Sequence, residues 1–202
     1  MNIILASSSP RRKSMLSGIF HSFSILPPSI DESHRPGESP EAFARRIAEE
    51  KCRAVMDSVT RRDRPALIIA ADTIVTIDGR IIGKPTDFNH AVRMISELTG
   101  RTHRVITGLS LSVAGDIDIG RGPLTGSEVT EVSFRQLDRD GIITYLNAIE
   151  YHDKAGSYAI QEHGGMIVEG HRGSLSNIIG FPLRLFFSML VDMELVHELF
   201  NV

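Results

Sequence analysis

Asp72 follows the apolar run Leu67-Ile68-Ile69-Ala70-Ala71, which reads as a strand buried on both faces. Such a strand delivers a carboxylate to the end of a sheet, where ligands bind in open α/β folds. An unpaired carboxylate there tends to hold its proton, so a metal ion or a cationic partner is expected beside it. The competing reading is a structural Asp bonded to loop backbone N–H groups. Glu32 lies in a polar, irregular stretch and alone reads as a solvated loop charge. Paired with Asp72 it would supply the one or two carboxylates that Mg²⁺ takes alongside substrate phosphates.

A second stretch carries positive charge. Ser7-Ser8-Ser9-Pro10-Arg11-Arg12-Lys13 follows the apolar run Ile3-Ile4-Leu5-Ala6. Ser9 is a good N-cap, and Pro10 suits the first helical position, where its missing N–H costs nothing. Three cations then crowd a helix N-terminus, each unfavourable by about 0.3–1 kcal/mol unless an anion is present. Backbone N–H groups, hydroxyls and guanidinium groups would together form a socket for a phosphate chain. A solvated basic turn is the equal alternative. Lys51 falls on the inward stripe Phe43, Ile47, Lys51, Ala54, Val55 of a helix that opens at Ser39-Pro40. Its ammonium either snorkels out or enters a polar cleft. Lys84, in the turn Gly83-Lys84-Pro85, adds another cation.

Other chemistries lack their residues. No G-x-x-x-x-G-K-[ST] or G-x-S-x-G occurs, and His152, His163 and His171 lack metal-helix spacing. The single cysteine, Cys52, sits in a helical pattern as a small buried residue and suits a reducing compartment. His103, within a strand, reads as a hydrogen-bonded core or rim histidine. The net charge of −3 gives no field for nucleic acid or anionic membranes, so phosphate binding has to be local. No secretory signal or bilayer span is visible, and the cytoplasm is the expected location. The remaining inventory suits metal-assisted attack of water on a phosphoanhydride.

These groups need a scaffold. The 202 residues are 42% hydrophobic and interleave strand and helix patterns without repeats or a linker, which predicts an α/β protein. The Asp78-Gly79 hairpin makes the sheet mixed. Helices are expected from Ser39-Pro40 to about Asp57, from Asp87 to Gly100, from Asp138 to about Ile149 and after Pro182. Strands are expected at 23–26, 67–71 and 74–77, and again at 103–113 and 129–134. Residues 115–126 read as a hairpin loop. The segment 153–161 reads as a glycine turn into a short strand, and 166–168 as a further strand.

Taken in order, Ala6-Ser7 with Ser9-Pro10-Arg11-Arg12, Asp31-Glu32, Glu50-Lys51, Ala71-Asp72-Thr73-Ile74-Val75 and Gly83-Lys84-Pro85 form a recognisable series. It continues through 103–108, Asp153-Lys154-Ala155-Gly156-Ser157-Tyr158 with Ile160-Gln161, and 177–182. The chain resembles the Maf family of nucleoside triphosphate pyrophosphatases over essentially its whole length. The resemblance implies an ITPase-like (house-cleaning) fold, one domain over 1–202 with two lobes sharing a central mixed sheet flanked by helices and a cleft between them. It implies hydrolysis between the α- and β-phosphates with a divalent cation, Mg²⁺ first and Mn²⁺ second, and a homodimer. Asp72 would be the proton acceptor, Ser9, Arg12, Lys51 and Lys84 would hold phosphates, and Glu32 would join Asp72 at the metal. Arg11, Thr73 and Gln161 match the dTTP/UTP branch rather than the 7-methyl-GTP branch. Ser157, Ala159 and Phe181 depart from the commoner Ala, Gly and Leu. A nucleotide-binding regulator of septum formation, or a phosphatase releasing single phosphates, are the rival readings.

Overall fold

The computed structural model describes residues 1–60, 65–115 and 122–200. Strands and helices alternate along the chain: β1 (Asn2–Leu5), α1 (Pro10–Ser17), β2 (Ser24–Ile25), α2 (Pro40–Ser58), β3 (Ala66–Ile77), β4 (Arg80–Ile82) and α3 (Phe88–Leu98). Then follow β5 (Thr102–Ala114), β6 (Leu124–Phe134), α4 (Arg139–Asn147), β7 (Val168–Arg172), α5 (Leu175–Ile179), α6 (Leu183–Asp192) and α7 (Val196–Phe200). The strand order is β2-β1-β3-β5-β6-β7, with β4 pairing β3. The sheet is mixed, as the hairpin predicts: β1 runs parallel to β2 and β3, whereas β3–β4 and β6–β7 are antiparallel.

Two compact units emerge. One comprises Met1–Asp72, Thr107–Glu128 and the chain from Gly180 onward; the other comprises Thr73–Ile106 and Val129–Ile179. In the first unit the period-2 alternation of strands sorts side chains between two cores. Ile3, Leu5, Leu67, Ile69 and Ala71 pack with Leu16 of α1 and Phe186 and Leu190 of α6. Ile4, Ala6, Ile68 and Ala70 pack with Cys52 and Val55 of α2. Both faces being covered explains the unbroken apolar run of β3. Gly108 on β5 lets α2 come close, since a Cβ there would lie 2.1 Å from the Ala44 carbonyl oxygen. In the second unit, Ala91, Ile95 and Leu98 of α3 and Ile142, Tyr145 and Leu146 of α4 share a core with Val75, Val105 and Phe134. Among the described residues no helix is long and apolar enough to cross a membrane.

The predicted helix starts are in place. Ser9, Ser39, Asp87 and Asp138 each cap a helix by accepting a backbone N–H three residues on. Four expectations change. Asp72 does not end its strand: β3 continues to Ile77 because 75–77 pair with β4 across a turn with positive φ at Asp78 and Gly79. The carboxylate is nevertheless just past the parallel partner, since β1 pairs with β3 only as far as Ile69. β6 begins at Leu124, inside the stretch that reads as a loop, of which 116–121 lie outside the described residues. Residues 158–161 form no strand, and 164–166 form a short 3₁₀ turn before β7 starts at Val168. The last helix divides at Met193-Glu194, where Glu194 has a φ of 58°.

Candidate active site

Alternation along β3 puts Asp72 on the same face as Ile68 and Ala70, the face covered by α2. Lys51 is next to Cys52 and one turn before Val55 on the buried side of that helix. The helix and strand periods therefore bring an ammonium and a carboxylate together in the interior. Lys51 Nζ donates to Asp72 Oδ1 at 2.8 Å, and both residues are only 9% exposed. The same Nζ lies 3.0 Å from Glu32 Oε1, whose side chain is half-exposed. Two carboxylates thus share one cation, and the buried charge that an inward lysine implies is paired rather than snorkelled.

The loop carrying Glu32 has no regular structure of its own, and α2 holds it. Arg46 forks onto Glu38 with Nε–Oε1 2.6 Å and Nη2–Oε2 2.8 Å, and its Nη2 also donates to the Ser33 carbonyl at 3.0 Å. The Arg46 guanidinium holds the Glu38 carboxyl down at about 2. Asp31 accepts both the backbone N–H and the hydroxyl of Ser33, closing a turn around Glu32.

Beyond β1 the chain enters α1 through the three serines. Ser9 accepts the Arg12 N–H at 3.5 Å as N-cap, and the buried Ser7 hydroxyl accepts the Ser9 N–H at 3.2 Å. Arg12 folds back over this turn, donating from Nη1 to Ser7 Oγ at 3.1 Å and from Nε to the Gly180 carbonyl at 2.9 Å. Burial pulls its guanidinium below its ordinary value, the charges of Asp72 and Glu32 push it back up, and neighbouring Arg11 pulls it down. Arg12 is therefore in the same electrostatic neighbourhood as the two carboxylates. Arg11 is half-buried in the first turn of α1.

Six of the expected residues, Ser9, Arg11, Arg12, Glu32, Lys51 and Asp72, lie in the first unit. Thr73, Lys84 and Gln161 lie in the second. Lys84 is exposed in its turn, Gln161 is exposed, and Thr73 is half-buried on β3. The Gly83 carbonyl accepts the Gly156 N–H at 2.9 Å, so the segments bearing Lys84 and Gln161 are tied together.

Two side chains of reactive type prove inert. Burial pushes the Cys52 thiol up to about 12, so it is no nucleophile. His103 is 2% exposed and hydrogen-bonded to the Tyr158 hydroxyl at 2.8 Å; burial pushes it down to about 4. The sequence pattern offers the Ser7 hydroxyl to a phosphate rather than to Arg12, and gives no role to the Gly180 carbonyl, Arg46 or Glu38. Only Arg46 leaves a trace there, as an arginine at i,i+4 from Glu50, to which it is also bonded at 3.2 Å.

The donor chemistry fits a hard divalent cation. Glu32 and Asp72 converge as oxygen donors on one positive centre, and no cluster of three or more His, Cys, Asp or Glu occurs among the described residues. Two carboxylates with the remaining positions left to water and phosphate oxygens is a Mg²⁺ pattern.

A family model described as Maf-like protein matches residues 2–193. The chain belongs to the Maf family. A dTTP/UTP pyrophosphatase of Thermococcus gammatolerans is 40% identical to this Maf chain over 187 residues, covering 93% of it and 94% of the relative. One from Ruminiclostridium cellulolyticum is 42% identical over 190 residues, covering 94% of each. Among solved structures, the Staphylococcus aureus Ham1 protein is similar in fold at a TM-score of 0.50 and 14% identity, over 96% of this chain and all of that one. The central mixed sheet flanked by helices that the sequence leads one to expect is thus found here, in a fold shared with Ham1.

Proposed function

We propose that this Maf-family protein hydrolyses dTTP and UTP to the nucleoside monophosphate and pyrophosphate. The observation that carries the reading is the buried Lys51–Asp72 pair, joined by the half-exposed Glu32, beside the Ser7–Arg12 turn just past the end of β1. It combines a carboxylate base, a cationic phosphate contact and a helix N-terminus. Modified pyrimidine triphosphates belong to the same substrate class. The names carried by relatives at about 40% identity over nearly the full length support the choice of dTTP and UTP.

In the reaction, Asp72 accepts the proton of a water as its oxygen bonds to phosphorus; the bridging P–O bond breaks and pyrophosphate leaves. Ser9 and Arg12 hold phosphate oxygens, and Lys51 both orients the Asp72 carboxylate and offsets its charge. Lys84 contributes a further phosphate contact. A divalent cation, Mg²⁺ or Mn²⁺, held by Glu32 and Asp72, would neutralise charge developing on the phosphate oxygens. Arg11, Thr73 and Gln161 discriminate the base. A homodimer is supported by the exposed apolar pair Phe187 and Val191 one turn apart on α6, and sedimentation tests it. The sole cysteine, free and buried, suits a cytoplasmic protein.

Product chromatography over a panel of nucleoside triphosphates tests the reading. With Mg²⁺, dTTP and UTP should give dTMP and UMP with pyrophosphate, ahead of CTP and the purines. Release of dTDP and orthophosphate would make the protein a phosphatase, and binding without turnover would make it a sensor.

A further inference from the structure

The segment from Lys154 to Glu162 has the pattern of a turn into a strand, yet its backbone is satisfied another way. The Tyr145 hydroxyl, on α4, accepts the Ala159 N–H at 3.1 Å and donates to the Ala159 carbonyl at 3.3 Å. A neighbouring strand would satisfy both polar groups of that residue; here one phenol does so. Tyr145 is fully buried, and burial pushes its hydroxyl up to about 12, so it remains protonated and able to play both parts.

The rest of the segment is fixed on either side. Tyr158 is bonded to His103 and stacks edge-on with His103 and Phe134 at centroid distances of 5.3 and 4.8 Å. Gly156 has a φ of 70° and would place a Cβ 3.2 Å from Val75, so the chain passes Val75 at a point that only glycine fits. On the far side, the Glu162 N–H donates to the Ala159 carbonyl at 3.2 Å. The Glu162 carboxylate accepts the Glu150 N–H at 3.3 Å and pairs with the nearly buried Lys154 at 3.3 Å. Lys154 also bonds the Glu150 carbonyl. Gln161 is exposed, two residues after one anchor and directly before the other.

We propose that Tyr145 is a positioning residue for nucleotide discrimination: by standing in for a strand partner at Ala159, its hydroxyl fixes the backbone from which Gln161 presents its amide to the base. Glu162, held by Lys154 and Glu150, fixes the other side of the same turn. The proposal rests on Gln161 being a base-contacting residue. It adds that preference is set from α4, by a side chain that does not itself touch the nucleotide. Position 159 then takes part through its backbone alone.

The test compares Tyr145→Phe, Glu162→Gln and Gln161→Ala. Each is measured for kcat and KM on dTTP and GTP with Mg²⁺, and for equilibrium binding of the α,β-methylene analogues of both nucleotides. Tyr145→Phe keeps the buried ring and removes only the hydroxyl. It should raise KM for dTTP about tenfold, change kcat less than about threefold, and lower the dTTP-to-GTP ratio towards that of Gln161→Ala. Glu162→Gln should shift the ratio in the same direction by about threefold. A merely destabilised enzyme loses active molecules for both substrates alike, so the ratio is immune to partial unfolding. A wild-type ratio in Tyr145→Phe with a lowered one in Gln161→Ala overturns the positioning role and leaves Gln161's own role standing. Wild-type ratios in Gln161→Ala overturn both. Should Tyr145→Phe fail to fold, an unchanged ratio in Glu162→Gln overturns the proposal by itself. Where no turnover occurs, the binding ratios of the two analogues decide between the same outcomes.

Discussion

Two sets of polar groups in this protein are built on opposite electrostatic terms. Around Asp72 the contacts are ion pairs: Lys51 bridges Asp72 and Glu32, and Arg12 feels the fields of both carboxylates. Behind Ala159 three aromatic groups are neutral: burial holds His103, Tyr145 and Tyr158 uncharged, and their hydrogen bonds run among aromatic rings and backbone. Breaking a buried ion pair leaves an uncompensated charge, so the first set can exchange partners only when another charge arrives. A phosphate chain with its counter-cation is such an arrival. The three aromatic groups of the second set have no charge to exchange, and the one ion pair beside them, Lys154–Glu162, ties the same segment to Glu150. On the proposed function, the difference separates chemistry, which needs mobile charge balance, from recognition, which needs a rigid frame.

Substitutions can break that division or sharpen it. Removing a phosphate contact should depress every substrate alike, so Arg12→Ala should lower kcat/KM about 100-fold on dTTP, UTP and GTP without changing their ranking. Arg11→Trp, one residue away, should instead shift the ranking by about tenfold, read from the same steady-state panel. Equal losses from both changes would mean that the opening turn is only a phosphate clamp. If Glu32 holds the metal as proposed, Arg46→Ala, which removes the contacts to Glu38 and Ser33, should raise the Mg²⁺ concentration for half-maximal activity about tenfold, as loss of an outer partner of a metal ligand does. Saturating Mg²⁺ should restore turnover.

The neutral set makes a smaller, pH-dependent prediction. His103 titrates near 6.5 in the unfolded chain and at about 4 when folded. Above the first value neither state binds the proton; between the two only the unfolded chain does. Stability is therefore lost as pH falls from 6.5 to 4, by up to about 3 kcal/mol. In His103→Gln, Tm should be flatter across that window. Glu38, held at about 2 by Arg46, acts in the same direction lower down, between its ordinary 4.5 and about 2. The two windows barely overlap, so thermal melts against pH distinguish them.

Much of this is legible in the chain. Cap residues followed by proline or a polar turn announce α1, α2, α3 and α4 because a side-chain oxygen at that position satisfies an otherwise unbonded N–H. The unbroken apolar run of β3 announces a strand covered on both faces, and an inward lysine announces either a snorkelling side chain or a polar cleft, between which the carboxylates of Asp72 and Glu32 decide. What stays hidden depends on long-range partners. The local pattern gives strands at 67–71 and 74–77 and the hairpin after them, but not that Asp72-Thr73 join the two into one strand, because the hairpin pairing that extends it forms after the parallel ladder ends. Nor does the pattern of 158–161 reveal that a tyrosine 14 residues earlier takes the place of a strand. Gly108 is similar: its need arises only from the approach of α2 to β5.

The proposed function stands on one step, in which Asp72 takes the proton of the attacking water while its neighbours hold the phosphates. Asp72→Asn keeps the shape of the side chain and an oxygen for Lys51 but gives up the basic carboxylate. The decisive experiment follows pyrophosphate release from dTTP with Mg²⁺ in this variant, alongside equilibrium binding of the α,β-methylene analogue of dTTP. Turnover should fall by about 10³-fold with binding retained. Release at a near-wild-type rate from the folded variant would contradict the role of Asp72 as the base.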